Sequence, residues 1–107
     1  MSTKVYCTLY YADWCTHCVN FKPEWEKLKQ KIKQSNGKYN DISLTIAEYE
    51  SKQIPNNTKI NGKDIQGFPT IKVSVNKNGI IKEFDYNGKR NSDALFYYMS
   101  QGVLKHV

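Results

Sequence analysis

Between residues 4 and 34 the hydrophobic pattern changes period once, and the change falls on a pair of cysteines. Upstream, Lys4 to Tyr11 (KVYCTLYY) is dense in β-branched and aromatic residues, the composition of a buried strand. Downstream, Phe21, Trp25, Leu28 and Ile32 recur at steps of four, three and four, an apolar stripe along a helix from about Cys15 to Gln34. Pro23 lies inside that stripe, removes a backbone donor and predicts a kink near Val19. SNGK ends the helix with Asn36 or Gly37 as its left-handed cap. Ile42 to Tyr49 (ISLTIAEY) reads as the next strand. A helix joins it to the first, so the two strands should run parallel and form a βαβ unit.

The stretch from Ser51 to Gln66 is polar, and its best reading is a short helix near Asn56 to Ile60. Asn56-Asn57-Thr58 matches a glycosylation sequon and is read as an ordinary turn. From Thr70, TIKVSV and IIKEFDY flank NKNG, in which Asn78 and Gly79 tolerate positive φ, so an antiparallel hairpin is expected. Ser92 is placed to cap a last helix with Leu95, Phe96, Met99 and Val103 on its apolar face. The order βαβ, short helix, ββα implies an α/β domain: a four-stranded mixed sheet with helices on both faces. With 107 residues, the chain is expected to form one domain, 1–107, around a modest core.

Composition narrows the setting. No run approaches the roughly 20 apolar residues of a membrane helix. Met1-Ser2-Thr3-Lys4 lacks the basic-then-apolar layout of a secretory leader, so a cytoplasmic location is expected. Three cysteines, an odd number, then read as thiols in a reducing compartment, where a CxxC serves catalysis or metal binding more often than structure. The formal charge of +6 could favour acidic partners. The lysines of EKLKQKIKQ, however, interleave with Leu28 and Ile32 as a solvated helix face, and no basic-aromatic platform marks a nucleic-acid partner. The lysine and asparagine content fits an AT-rich genome, such as that of some viruses.

Cys15 and Cys18, in a first helical turn, lie on one face at a separation that a disulfide tolerates. At the helix N-terminus the dipole and unpaired amides favour a Cys15 thiolate, while Cys18 sits deeper. That asymmetry makes Cys15 the attacking nucleophile and Cys18 the thiol that resolves a mixed disulfide. A protonated His17 between them would stabilise the thiolate further and make the disulfide more oxidising. Trp14 reads equally as an exposed platform beside the nucleophile or as packing, and Cys7 as an inert buried thiol.

YYADWCTHCVNFKPEW (10–25), GFPT (67–70) and YNGKR (86–90) follow one another in the order found in thioredoxin-fold proteins. The chain resembles most closely the domains of protein disulfide isomerases, in a pared-down form. The resemblance implies a redox-active Cys15–Cys18 pair with His17 stabilising the thiolate. It also implies a cis Pro69 facing the disulfide, with the Phe68 backbone free to pair with an extended substrate. Arg90 matches an arginine that can swing toward the second cysteine. Thr16 replaces the usual glycine, and an opening strand and helix are missing, which leaves the Ile42–Tyr49 strand as a sheet edge. The buried acid of the family is replaced by Leu9. Glu48 stands opposite, where a lysine is usual, and a raised pKa there would suit it to take the Cys18 proton.

The expected function is thiol-disulfide exchange with cysteine-containing proteins, kept turning over by a further redox partner, with no cofactor. Two other classes are an adaptor that keeps the fold without the chemistry, and a CxxC metal or iron-sulfur site. A structural zinc needs four ligands. Of the remaining candidates, His17 cannot readily point with both flanking cysteines, and Cys7 and His106 have no motif spacing, so no metal is expected.

Overall fold

In the computed structural model, which describes residues 3–107, the strand β1 (Thr3–Tyr11) lies at the centre of a five-stranded sheet. In chain order the remaining strands of that sheet are β2 (Lys38–Tyr39), β3 (Ile42–Glu50), β6 (Thr70–Lys77) and β7 (Ile80–Asp85), arranged β2-β3-β1-β6-β7. A separate two-stranded hairpin holds β4 (Lys59–Ile60) and β5 (Lys63–Asp64). The helix α1 (Thr16–Gln34) carries the chain from β1 to β3, which runs parallel to β1 as expected. β6 and β7 form the antiparallel hairpin, and Asn78 and Gly79 both take positive φ at its turn. α1 runs on through Pro23 and ends where Asn36 and Gly37 turn left-handed, with the Gly37 N–H on the Ile32 carbonyl at 2.8 Å.

The sheet has five strands rather than four because β2 adds a two-residue stub antiparallel to the start of β3. Beyond Ser43 the outer edge of β3 has no strand partner. The helix expected near Asn56–Ile60 is replaced by the β4–β5 hairpin. Asn61 and Gly62 both have positive φ, 53° and 80°, a two-residue hairpin turn that helical backbone cannot accommodate. Asn56 and Asn57 do form an exposed turn. A short 3₁₀ turn, Ser51–Gln53, follows β3.

The core sits on one side of the sheet. Val5, Cys7 and Leu9 of β1, Leu44 of β3, and Ile71, Val73 and Val75 of β6 are buried with the α1 stripe Phe21, Trp25, Leu28 and Ile32. Leu95, Met99 and Val103, all fully buried, join the same cluster. They come from α2 (Ser92–Tyr97) and from the π and 3₁₀ turns that continue it to His106. The side chain of Asn91, not Ser92, caps α2 by accepting from the Ala94 N–H at 2.8 Å.

Helices therefore cover one face, not both. Alternate strand residues on the other face, among them Tyr6, Thr45 and Ala47, are exposed, while Tyr10 is buried there against the Tyr49 ring, 5.9 Å between centroids. The β4–β5 hairpin reaches one end of that face through the Asn61 N–H, which donates to Glu83 at 3.0 Å. Among the described residues no helix is long and apolar enough to cross a membrane.

Candidate active site at the start of α1

The turn between β1 and α1 is closed by the Cys15 N–H donating to the Ala12 carbonyl at 3.1 Å, with Ala12 fully buried. This turn leaves Cys15 as the N-cap of α1, where its sulfur accepts the Cys18 N–H at 3.3 Å. A capping position normally held by serine or aspartate is thus filled by the candidate nucleophile, which gains the partial positive charge of the helix start. The two cysteines are almost equally enclosed, 7 % and 6 % exposed. Burial nonetheless weighs more on the Cys18 sulfur than on that of Cys15, as expected of the deeper thiol.

Cys15 is held below the ordinary thiol range, first by a hydrogen bond from the Cys18 side chain. Partial desolvation opposes this, while the backbone amides of Cys18 and His17 and the charge of Arg90 add to it. Cys18 is pushed up to about 11, chiefly by burial and then by its hydrogen bond and charge interaction with Cys15, against the Ala12 backbone and Arg90. One sulfur is thus prepared to attack while the other keeps its proton. His17 reaches Cys15 through its backbone amide, and the residue itself is exposed.

Phe68-Pro69 is a cis peptide, and the Cys15 thiol lies 3.5 Å from the Phe68 carbonyl oxygen. Pro69 is buried and Phe68 half-buried. Trp14, 75 % exposed, meets the Phe68 ring edge-on at 6.0 Å between centroids, which settles it as a surface aromatic rather than a core one. Arg90 follows a loop in which the Tyr86 hydroxyl donates to the Lys89 carbonyl at 2.6 Å. A Cβ at Gly88 would lie 2.7 Å from that hydroxyl and 2.8 Å from the ring carbon bearing it, so a larger residue there would have to displace the Tyr86 ring.

Glu48 departs from expectation. It stands directly across from Leu9 in the β3–β1 register and shares a small cavity with Cys18, walled by Leu9, Phe21 and Trp25. Burial raises its pKa, but Lys29 at 2.8 Å, the Trp25 indole N–H at 2.9 Å and the charge of Lys22 outweigh burial, so the net shift is downward. A carboxylate held ionised in this way is a poor proton acceptor, and the raised pKa expected from the sequence is corrected. What Glu48 does is fasten β3 to α1 behind Cys18.

Glu50 went unnoticed in the sequence. One of its oxygens accepts the Asp13 N–H at 3.2 Å and the Ser51 hydroxyl at 2.9 Å, and the other accepts the Lys52 N–H at 2.8 Å. The Glu50–Gln53 spacing of a capping box was the available signal, since the Gln53 side chain answers by accepting the Glu50 N–H. Cys7 is fully buried in the core, its thiol raised to about 12 by desolvation. Among the described residues no three His, Cys, Asp or Glu side chains gather as a metal site would require.

A mixed sheet that delivers a two-cysteine helix start against a cis-proline loop defines a thioredoxin-fold dithiol protein. The sequence model of the family Thioredoxin matches residues 2–101, and the chain belongs to that family. It is 33 % identical over 92 residues to a protein disulfide-isomerase of Ricinus communis, covering 86 % of this chain and 17 % of that one. It is 37 % identical over 93 residues to a probable protein disulfide-isomerase A4 of Caenorhabditis elegans, covering 85 % and 13 %. The chain thus spans less than a fifth of the length of these relatives. Among solved structures, the Trx4 domain of ERdj5 superposes with a TM-score of 0.70 at 22 % identity, covering 97 % of this chain and 82 % of that one. The zinc-bound form of human ERp44 superposes with a TM-score of 0.61 at 25 % identity, covering 91 % and 26 %. Membership supports an oxidoreductase role at the level of the family.

Proposed function

We propose that this chain, acting as one domain, is a thiol-disulfide oxidoreductase of the disulfide-isomerase kind, working on protein cysteines through Cys15-Thr16-His17-Cys18. The observation that carries this reading is the placement of the Cys15 sulfur at the start of α1, 3.3 Å from the Cys18 N–H and 3.5 Å from the carbonyl of the cis Phe68-Pro69 peptide, with which the lowered Cys15 and raised Cys18 thiols agree.

The Cys15 thiolate attacks a sulfur of the substrate disulfide. One substrate sulfur leaves as thiolate and takes a proton from water, and the other remains joined to Cys15. In that mixed disulfide Cys15 no longer carries charge or accepts hydrogen bonds as a thiolate, so two causes that raise Cys18 vanish while the pull of Arg90 stays. Cys18 then loses its proton more readily and displaces the substrate thiolate from Cys15. The chain is left oxidised and the substrate reduced, and the reverse sequence oxidises a substrate. The backbone at Phe68 supplies an edge for an extended substrate segment, and Trp14 supplies exposed aromatic surface beside the nucleophile. Glu48 acts only as support, through Trp25 and Lys29.

The test is trapping. Cys18→Ala should retain partner proteins as reducible mixed disulfides that Cys15→Ser does not form. Failure to trap any partner, or an unaltered biological role with Cys15→Ser, would favour the adaptor reading. A potential near roughly −180 mV marks isomerase-like behaviour and one near about −270 mV a reductase. The cytoplasmic setting expected from the sequence is decided by the compartment from which the trapped partners come.

A further inference from the structure

One carboxylate reaches the nucleophile-bearing turn from the end of β3. Asp13 is the first inner residue of the turn that the Cys15 N–H closes on Ala12, and its N–H points away from the helix to Glu50, 37 residues on, at 3.2 Å. The same carboxylate receives the Lys52 N–H and the Ser51 hydroxyl at 2.8 and 2.9 Å, and its own backbone N–H is tied down by Gln53. Glu50 is therefore fixed at both ends: β3 holds its backbone, and three donors hold its side chain. Half-buried and held in this way, the Glu50 carboxylate is a bracket between the end of β3 and the loop before α1.

We propose that Glu50 is a positioning residue for Cys15, holding the Ala12–Cys15 turn so that the Cys15 sulfur stays on the Cys18 amide at the start of α1. The capping contact is 3.3 Å, a close approach for an amide to sulfur, and a drift of the turn that lengthens it weakens it. Without the bracket, the Asp13 amide turns to water and the turn loses its tie to β3. Cys15 then spends less time as the helix cap, and its thiolate loses stabilisation.

A second effect of the same carboxylate has the opposite sign. A negative charge near a thiolate destabilises it, so deleting Glu50 for its charge alone would lower the Cys15 pKa. The sign of the change therefore separates positioning from field.

The proposal rests on Cys15 being the nucleophile, and the experiment keeps the two claims apart. The rate of iodoacetamide alkylation at Cys15, located by mass spectrometry, is followed against pH for the full chain and for Glu50→Ala, Glu50→Asp and Glu50→Gln. Glu50→Ala should raise the midpoint by about one pH unit, part of what a helix start contributes to a thiol. Glu50→Asp keeps the charge but is one methylene too short, and should behave like Glu50→Ala. Glu50→Gln keeps the length and one acceptor, and should lie between these and the parent. A midpoint that stays put or falls in Glu50→Ala and Glu50→Asp overturns the proposal. If Glu50→Ala does not fold, Glu50→Asp and the isosteric Glu50→Gln carry the same reading. A parent chain with no depressed midpoint at Cys15 would instead sink the proposed function.

Discussion

The Cys15 thiol faces the carbonyl oxygen of Phe68 at 3.5 Å, across 53 residues of sequence. The contact joins the start of α1 to the loop before β6, so the proposed nucleophile and the backbone proposed to pair with substrate form one surface. In the proposed function, a peptide bonded to Phe68 would arrive with its sulfur within reach of Cys15. Phe68→Ala should leave the Cys15 alkylation profile unchanged, because the backbone remains, while removing the aromatic edge that meets Trp14. Protein-disulfide reduction should weaken several-fold through KM with kcat little changed, as loss of uniform binding requires. Steady-state kinetics with a reducible protein substrate checks this.

Native labelling should distinguish all three thiols. Cys15 is lowered, whereas Cys18 and Cys7 are raised to about 11 and about 12. At neutral pH, iodoacetamide should modify Cys15 at least about tenfold faster than Cys18, since the thiolate is the reactive form. Cys7 should react only after denaturation. Peptide mapping over a time course reads all three, and equal rates at Cys15 and Cys18 would contradict the arrangement.

Arg90 acts on both cysteines through its charge. Arg90→Gln should raise the Cys15 midpoint by less than about one pH unit, the modest effect of an exposed charge. It should also slow release of the mixed disulfide by Cys18. Arg90→Lys, which keeps the charge, should restore most of both. Stopped-flow measurement of the two phases separates attack from release.

The reduced protein should lose stability in alkali. Cys7 and Cys18 keep their protons in the fold up to about 12 and about 11, whereas in the unfolded chain they ionise near about 8.5. Their stabilisation is complete below the unfolded value and is lost as pH rises through the folded ones, at about 1.4 kcal/mol per pH unit for each group. Cys15, shifted the other way, completes its change below that window. Urea midpoints of the reduced chain should therefore fall from about pH 8.5 upward. Cys7→Ala should be less stable at neutral pH yet show a shallower fall, so that its stability meets and then exceeds the parent's in strong alkali.

Glu48→Gln should leave the pH dependence of mixed-disulfide release unchanged, because the carboxylate is already committed to Trp25 and Lys29. The cost in stability should stay under about 1 kcal/mol, as for other partly exposed ion pairs. A release rate that loses its pH dependence in this variant would restore the proton-acceptor role.

What could be read from the residues was whatever one element decides alone. The stripe Phe21, Trp25, Leu28, Ile32 and the Asn78-Gly79 turn are local patterns, and both elements formed where expected. The Cys15 cap position and the cis Pro69 followed from motifs in order. Asn61-Gly62 carried the same turn chemistry as Asn78-Gly79, but its strands are two residues each, too short to show alternation. The face each helix covers was not legible, because a burial pattern gives the period of an element and not the side it meets. Glu48 was visible as an acid across from Leu9, yet the sign of its pKa depends on Lys29 and Trp25, brought in by α1. Glu50 and Asp13 meet only in the folded chain.

With α1 and α2 against the same side of the sheet, the strands have no second apolar layer to keep them together if α1 lifts. The helix that presents the reactive sulfur is also the main lid of the hydrophobic interior, through Trp25 and Leu28. Bond exchange at residue 15 must therefore be accomplished with α1 seated, by rearrangement confined to its first turn. A variant that frays this helix would forfeit cohesion and chemistry together, and the two losses should track each other across any series of substitutions along its inner stripe.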